Sequence, residues 1–319
     1  MRTPFLRQVM SVTLCLALIA GCTSRRPEHE PPSDDELARF TRGARTAFER
    51  GQREQATRYH EQALQRAYVL DNPREIGNAA YNFAVSLMGE GDLERAGKLL
   101  DEAEWELIRA GENMADVYIV QGKLALTQKE EGRALFYVKR ALNHPQSQPA
   151  TEHRILGALI RGEIAVDRGE ILVARQLLQE AAASIGPEQG DELHAGISGL
   201  EGVVSQREDD HHLAARSFDR EAALWRASGR YNDMALALER SATAHSQAGR
   251  PDFAAERLFR AARSRFAQGD ENAALRLLED AIANARSPSL RQRIVHLSDQ
   301  FHAAGAGSRT EQNAPARKD

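Results

Sequence analysis

From about Asp35 to Ala304 the chain reads as helical segments whose apolar residues fall on one stripe, separated by short polar breaks. The breaks share one shape, a turn followed by a helix start: GQREQA at Gly51, GDLERA at Gly91, KEEGRA at Lys129, GEILVA at Gly169, DDHHLA at Asp209, GRPDFA at Gly249 and GDENAA at Gly269. Their closing alanines, Ala56, Ala96, Ala134, Ala174, Ala214, Ala254 and Ala274, are spaced by 40, 38, 40, 40, 40 and 20 residues. A steady period near 40 implies one helix-turn-helix unit repeated along the chain, each burying its apolar face on the next.

Further columns move with the alanines. Twelve residues earlier stand Ala44, Ala84, Gly122, Gly162, Gly202 and Ala242, always small, where a bulky side chain would push the two helices of a hairpin apart. Four residues later stand His60, Leu100, Val138, Leu178, Phe218, Leu258 and Leu278, mostly large and apolar. Seven later come Ala63, Ala103, Ala141, Ala181, Ala261 and Ala281, interrupted at Glu221 with Ala222 beside it. Offsets of four and seven lie on one helical stripe.

The pattern predicts helix pairs at 36–50 with 53–70, 75–90 with 93–110, 114–128 with 131–143, 152–168 with 171–185, 192–207 with 211–228 and 232–248 with 252–267. The 20-residue step predicts a half-repeat helix at 271–285, and Ser289 to Ala303 reads as a cap whose charged side, with Arg291, Arg293 and Asp299, closes the array toward solvent. Proline disrupts a helix interior by about 3 kcal/mol. Pro73, Pro145, Pro149, Pro187, Pro251 and Pro288 all fall between these helices or in a first turn. The tail 305–319, GAGSRTEQNAPARKD, is expected to be disordered.

The columns resemble the tetratricopeptide repeat family: a small residue in the first helix, a Gly-Asp-type turn, then alanine, a large apolar residue and alanine along the second. The resemblance covers 35–304 and implies an all-α, right-handed α-solenoid of about six repeats plus a half-repeat and cap. Three features depart from the family. The period exceeds its usual length, the aromatic early in the first helix survives only as Phe40 and Tyr118, and the closing proline is irregular. The resemblance also implies that first helices line a concave groove. At one offset on four of them stand Gln121, Arg161, Glu201 and Ser241, a polar ladder suited to an extended peptide or a partner helix. Trp105 and Trp225, both on second helices, are expected to pack between repeats.

The first residues carry an address. Arg2 and Arg7 precede an apolar run from Val9 to Ala20, and Ile19-Ala20-Gly21-Cys22 ends it with small residues before a cysteine. The run is too short for a comfortable membrane span. It resembles a bacterial lipoprotein signal, which implies removal of residues 1–21 and lipidation of Cys22. The acyl chains would then hold the protein on a bilayer. Thr23 after the cysteine, rather than Asp, favours the outer membrane by the same resemblance. Residues 22–34 are polar and Pro-rich and form the expected tether, reaching at most roughly 40 Å at about 3.3 Å per residue.

Composition narrows the chemistry. Forty-two basic and 46 acidic side chains give a net charge of -4, no electrostatic reason to expect nucleic acid as a partner. Only two cysteines are present, Cys15 and Cys22, which excludes a disulfide scaffold and a Cys-rich zinc site. The run Asp209-Asp210-His211-His212 has ligand-type residues but occupies a position that other repeats use as a turn. His296, Asp299 and His302, at three-residue steps, drift around a helix and read as cap residues. The arginines from 216 to 265 are interleaved with carboxylates such as Asp219, Glu221 and Glu256, which makes a solvated, ion-paired face rather than a basic strip. Gly-rich phosphate loops, His-Glu-x-x-His and Gly-x-Ser-x-Gly are missing from the sequence. The expectation is a non-enzymatic, periplasm-facing scaffold without cofactor or metal, binding protein partners in envelope assembly, cell-wall or secretion machinery. The alternatives are an envelope enzyme whose site is assembled from distant residues, and a self-associating structural lipoprotein.

Overall fold

The computed structural model describes residues 34–49 and 52–312, and every regular element among them is an α-helix. The chain divides into two compact units, residues 1–193 and 194–319. In the first, α1 (Asp35–Glu49) pairs with α2 (Arg53–Leu70), α3 (Pro73–Glu90) with α4 (Leu93–Ala110), α5 (Ala115–Thr127) with α6 (Glu131–Asn143), and α7 (Thr151–Asp167) with α8 (Ile171–Ser184). The second holds most of α9 (Asp191–Arg207), then α10 (His211–Ala227), α11 (Tyr231–Gln247), α12 (Pro251–Ala267), α13 (Glu271–Asn284) and α14 (Pro288–Gln312). Within each unit, helices adjacent in the chain pack on one another, and first helices also meet the next first helix, as α5 does α7. In each unit the fold is all-α, built of helical hairpins packed on their neighbours along the chain. The one sizeable departure from the expected helix limits is α14, which continues to Gln312 instead of ending near 303; residues 313–319 lie outside the described residues.

The turns show why Gly-Asp recurs. Gly91, Gly169, Gly249 and Gly269 hold the left-handed backbone that ends a helix, with φ of 87°, 78°, 72° and 85°. The aspartate that follows caps the next helix: Asp92 accepts from the Arg95 N–H at 3.2 Å, and Asp270 from the Ala273 N–H at 3.1 Å. Lys129 and Asp209 occupy the glycine position with φ of 61° and 62°, a strained choice for residues bearing a Cβ. Pro73, Pro251 and Pro288 each open a helix, where their missing N–H costs no hydrogen bond.

The columns face the core. All seven closing alanines are 0% exposed, and the alanines seven residues on are at most 2% exposed. In the first unit Leu64, Ile76, Phe83, Leu87, Leu100, Val120 and Leu124 share one cluster, and Leu126, Val138, Ile160 and Ile164 another. In the second, Phe218 packs with Ala214, Ala215 and Ala244. Gly202 lies so close to the Phe218 ring that a Cβ there would be 2.5 Å from Cε1. On the cap helix Ile294 is buried, Arg291, Arg293 and Asp299 are exposed, and Phe301 stacks on Phe266 with centroids 3.6 Å apart.

Candidate functional site

Of the four ladder residues, two are buried, one is half-buried and one is exposed. Gln121, on α5, is buried and its Nε2 donates to Glu104 Oε2 on α4 at 2.9 Å. Ser241, on α11, is fully buried and its Oγ donates to Asp219 Oδ1 at 2.6 Å. Glu201, on α9, is half-buried and accepts from Ser217 Oγ at 2.6 Å and Arg220 Nη1 at 3.0 Å. Arg161, on α7, is exposed. The offset is the position beside the small-residue column, where the first helix meets the neighbouring second helix, so three of the four polar groups are used inside the fold. Eleven of the thirteen residues of α5 are buried, so that first helix offers little surface.

The second unit buries a polar network that the sequence pattern showed only as a break in a column. Glu221, standing where other repeats have alanine, is 2% exposed; it accepts from Trp225 Nε1 at 3.1 Å and pairs with Arg240. Burial pushes its carboxyl above the usual range against the pull of Arg240 and Trp225. Next to it, Asp219 accepts from Ser241 and, through Oδ1 and Oδ2, from Arg257 Nε at 3.1 Å and Nη2 at 2.7 Å; His245 Nε2 lies 3.3 Å from Oδ2. Burial would raise the Asp219 carboxyl, but these hydrogen bonds and the Arg257 charge outweigh it and hold the group well below the ordinary carboxylate range. Serine, aspartate and histidine are thus all present, but in an order that does not activate a nucleophile. Ser241 donates its hydrogen bond to the carboxylate, and His245 lies on the other side of Asp219 rather than between the two. Arg257 already neutralises Asp219. This is a cross-brace joining α10, α11 and α12.

The ligand-type clusters also have structural roles. Asp209 takes the left-handed turn, Asp210 accepts from the Leu213 N–H at 2.9 Å as a helix cap, and His212 is exposed. His296 Nε2 lies 3.1 Å from Gln300 Nε2 on its own helix, and His302 is exposed. Asp116, Glu152 and His153 bring three ligand atoms within 4.8 Å of one another, a grouping the sequence did not suggest. The histidine is oriented against metal binding. Its Nδ1 accepts the Ala150 N–H at 2.9 Å, so the proton of the neutral ring sits on Nε2, which lies 3.0 Å from Asp116 Oδ1.

Large apolar side chains are exposed instead, several of them on second helices of the first unit. Trp225 is 1% exposed, as expected of inter-repeat packing, but Trp105 on α4 is 61% exposed. Arg109 covers its ring at 4.7 Å while holding Glu106 at 2.8 Å. Phe136 on α6 and Leu172 on α8 are also more than half exposed. These residues sit at different offsets from the closing alanine, so no column announced them, yet all point away from the alanine stripe. Among the described residues no helix is long and apolar enough to cross a membrane. Cys22 and the rest of the expected signal lie outside the described residues.

No protein-family model matches the chain, and no curated protein matches it. Among solved structures it is similar to the TPR2AB domain of yeast Sti1 in a complex with pHSP90, at 14% identity and a TM-score of 0.34, covering 83% of this chain and 98% of that one. It is also similar to yeast Tom70, at 12% identity and a TM-score of 0.44, covering 95% of this chain and 71% of that one. The hairpins' own turns and buried columns define the fold here.

Proposed function

We propose that this protein is a scaffold that binds protein partners through its helical surface and is held on the periplasmic side of a bacterial envelope membrane by lipid on Cys22. The observation that carries the binding half is the exposure of Trp105, Phe136 and Leu172 on second helices of the first unit. Tryptophan is the residue type most enriched at binding hot spots, and on a repeat scaffold it is already positioned, so binding needs little ordering. The address rests on the Ile19-Ala20-Gly21-Cys22 pattern, with the charged start and apolar run before it. The polar groups inside the second unit support the non-catalytic reading, since Ser241, Asp219 and His245 brace helices together.

Two measurements test the halves separately. Metabolic labelling with a fatty acid should mark the full chain and not the Cys22→Ser variant, and unlabelled parent protein would refute the anchor. Photo-crosslinkers placed at Trp105, Phe136 and Leu172 in living cells should trap a discrete protein, whereas crosslinkers at Arg291 and Asp299 on the cap should not. Equal or absent trapping at the two sets would refute the binding surface.

A further inference from the structure

Asp101 on α4 and Asp219 on α10 stand at the same place in their repeats, five residues after a closing alanine, yet their surroundings differ. Three side chains hold Asp219: Ser241 through Oγ at 2.6 Å, His245 with Nε2 3.3 Å away, and Arg257 through Nε and Nη2 at 3.1 and 2.7 Å. The equivalent positions for Asp101 are filled by Gln121, Ala125 and Tyr137, so the first unit has an amide there and no cation. The amide is stretched between two carboxylates: Gln121 Nε2 lies 2.9 Å from Glu104 Oε2 and 3.5 Å from Asp101 Oδ1, and its Oε1 is buried without a hydrogen-bond partner among the described residues. The neighbouring arginines are engaged elsewhere. Arg140 pairs with Glu104 at 2.6 Å and Arg133 with Glu130, while Arg109 holds Glu106 on the far side of Trp105 along the helix. Among the described residues Asp101 belongs to no ion pair. Burial and the Glu104 charge push its carboxyl above the usual range, against the pull of Arg133 and Gln121. Asp101 is exposed, and Trp105 follows one turn later on the same side of α4.

We infer that Asp101 and Trp105 together receive an arginine side chain of the protein partner, its guanidinium on the carboxylate and its methylene stem along the indole. The inference rests on the proposed reading of Trp105 as part of a partner site and states the chemistry the partner brings. The incoming arginine does from outside what Arg257 does from within the second unit. Arg257 meets both oxygens of Asp219, the two-pronged match that a guanidinium makes to a carboxylate and an ammonium does not. An arginine stem covers apolar surface while its head stays with a polar group, which suits an exposed indole one turn from an exposed aspartate. A carboxylate whose charge is disfavoured in the free protein, by burial and by a like-charged neighbour, gains from a cation that arrives with the partner. The site therefore selects partners that carry an accessible arginine among apolar residues.

Fluorine NMR of the full chain in dodecyl maltoside micelles, with fluorotryptophan in place of tryptophan, gives one resonance for Trp105 and one for buried Trp225, assigned with Trp105→Phe. The probe is acetyl-Leu-Arg-Leu-amide. Its counterpart with citrulline keeps the length and the hydrogen-bond donors but lacks the charge. The arginine peptide should move the Trp105 resonance saturably and bind about tenfold more tightly than the citrulline peptide, the difference a hydrogen bond between charged groups supplies. Asp101→Asn should abolish that preference, whereas Glu94→Gln, which removes an exposed α4 carboxylate paired with Lys98, should keep it. Equal or absent binding of the two peptides to the parent overturns the inference, as does a preference that survives Asp101→Asn. A crosslinker at Phe136 in living cells separates this inference from the reading beneath it. If the parent traps no protein, the partner surface is refuted and the peptide titration still decides whether Asp101 takes arginine. If the parent traps a protein and Asp101→Arg traps it equally, the inference alone fails.

Discussion

Gly122 and Gly202 occupy the same column twelve residues before the closing alanine, but adding one methyl group to each should have opposite effects. At Gly202 the new Cβ would meet the Phe218 ring at 2.5, 2.6 and 2.8 Å, about an ångström inside ordinary contact. Phe218 is 0% exposed and has Arg240 over its face at 4.8 Å, so the ring has nowhere to retreat without moving α10 from α9. Overpacking of that kind costs about 1–3 kcal/mol, while replacing a helical glycine by alanine returns about 1 kcal/mol. The expected net for Gly202→Ala is a loss of up to about 2 kcal/mol. At Gly122 the nearest atoms would be Ala134 O and Val138 Cγ2, both at 3.5 Å, which is ordinary contact, so the helix gain survives and Gly122→Ala should stabilise by about 0.5–1 kcal/mol. Urea unfolding provides the assay, with Trp225 fluorescence for the second unit and far-ultraviolet circular dichroism for the whole chain. Adding Phe218→Leu should remove most of the Gly202→Ala penalty in a double-mutant cycle. If both alanine variants stabilise, or if Phe218→Leu brings no relief, close approach at this column is not what demands glycine.

Three further predictions follow from the turns, the columns and the brace. Lys129→Gly and Asp209→Gly should each stabilise by about 1 kcal/mol in thermal unfolding, because both residues hold a left-handed backbone that glycine adopts freely; a loss in both would refute the strain. His60 sits in the large apolar column, and burial lowers its pKa from 6.5 to about 4. The folded state then binds fewer protons than the unfolded chain between those values, so stability falls as pH drops through that window, by up to about 3 kcal/mol. His60→Leu should unfold near the parent's midpoint at pH 7.5 and about 2 kcal/mol later at pH 4.5, and parallel pH curves would contradict the assignment. Arg257→Met should cost about 2–3 kcal/mol at neutral pH by leaving Asp219 poorly compensated. The contribution from depressing the Asp219 pKa is present above the unfolded value and is lost as pH falls through the folded one. The gap between parent and variant should therefore narrow below about pH 4, as read from paired urea titrations.

Local order in this protein is written in the chain. The turn column, the buried alanines and the opening prolines each report an interaction within one hairpin or between neighbours, and such short-range demands repeat with the period and can be read as a pattern. That is why the expected limits of α2, α4 and α6 coincide with those observed, and why Ala134 and Ala214 lie in the core. Which polar side chains the array takes inside depended on the tertiary structure. Gln121 and Ser241 share an offset with exposed Arg161, yet the first meets Glu104 and the second Asp219 on a neighbouring helix, while the third is left in water. Glu221 breaks a column because Trp225 and Arg240 arrive from positions 4 and 19 residues away to receive its carboxylate. Trp105 was expected inside on the strength of its size, but it points away from the alanine stripe and only three-dimensional neighbours determine what covers it. Periodicity fixes the helix and its inner stripe; exposure on the flanks is set by what lies beside them.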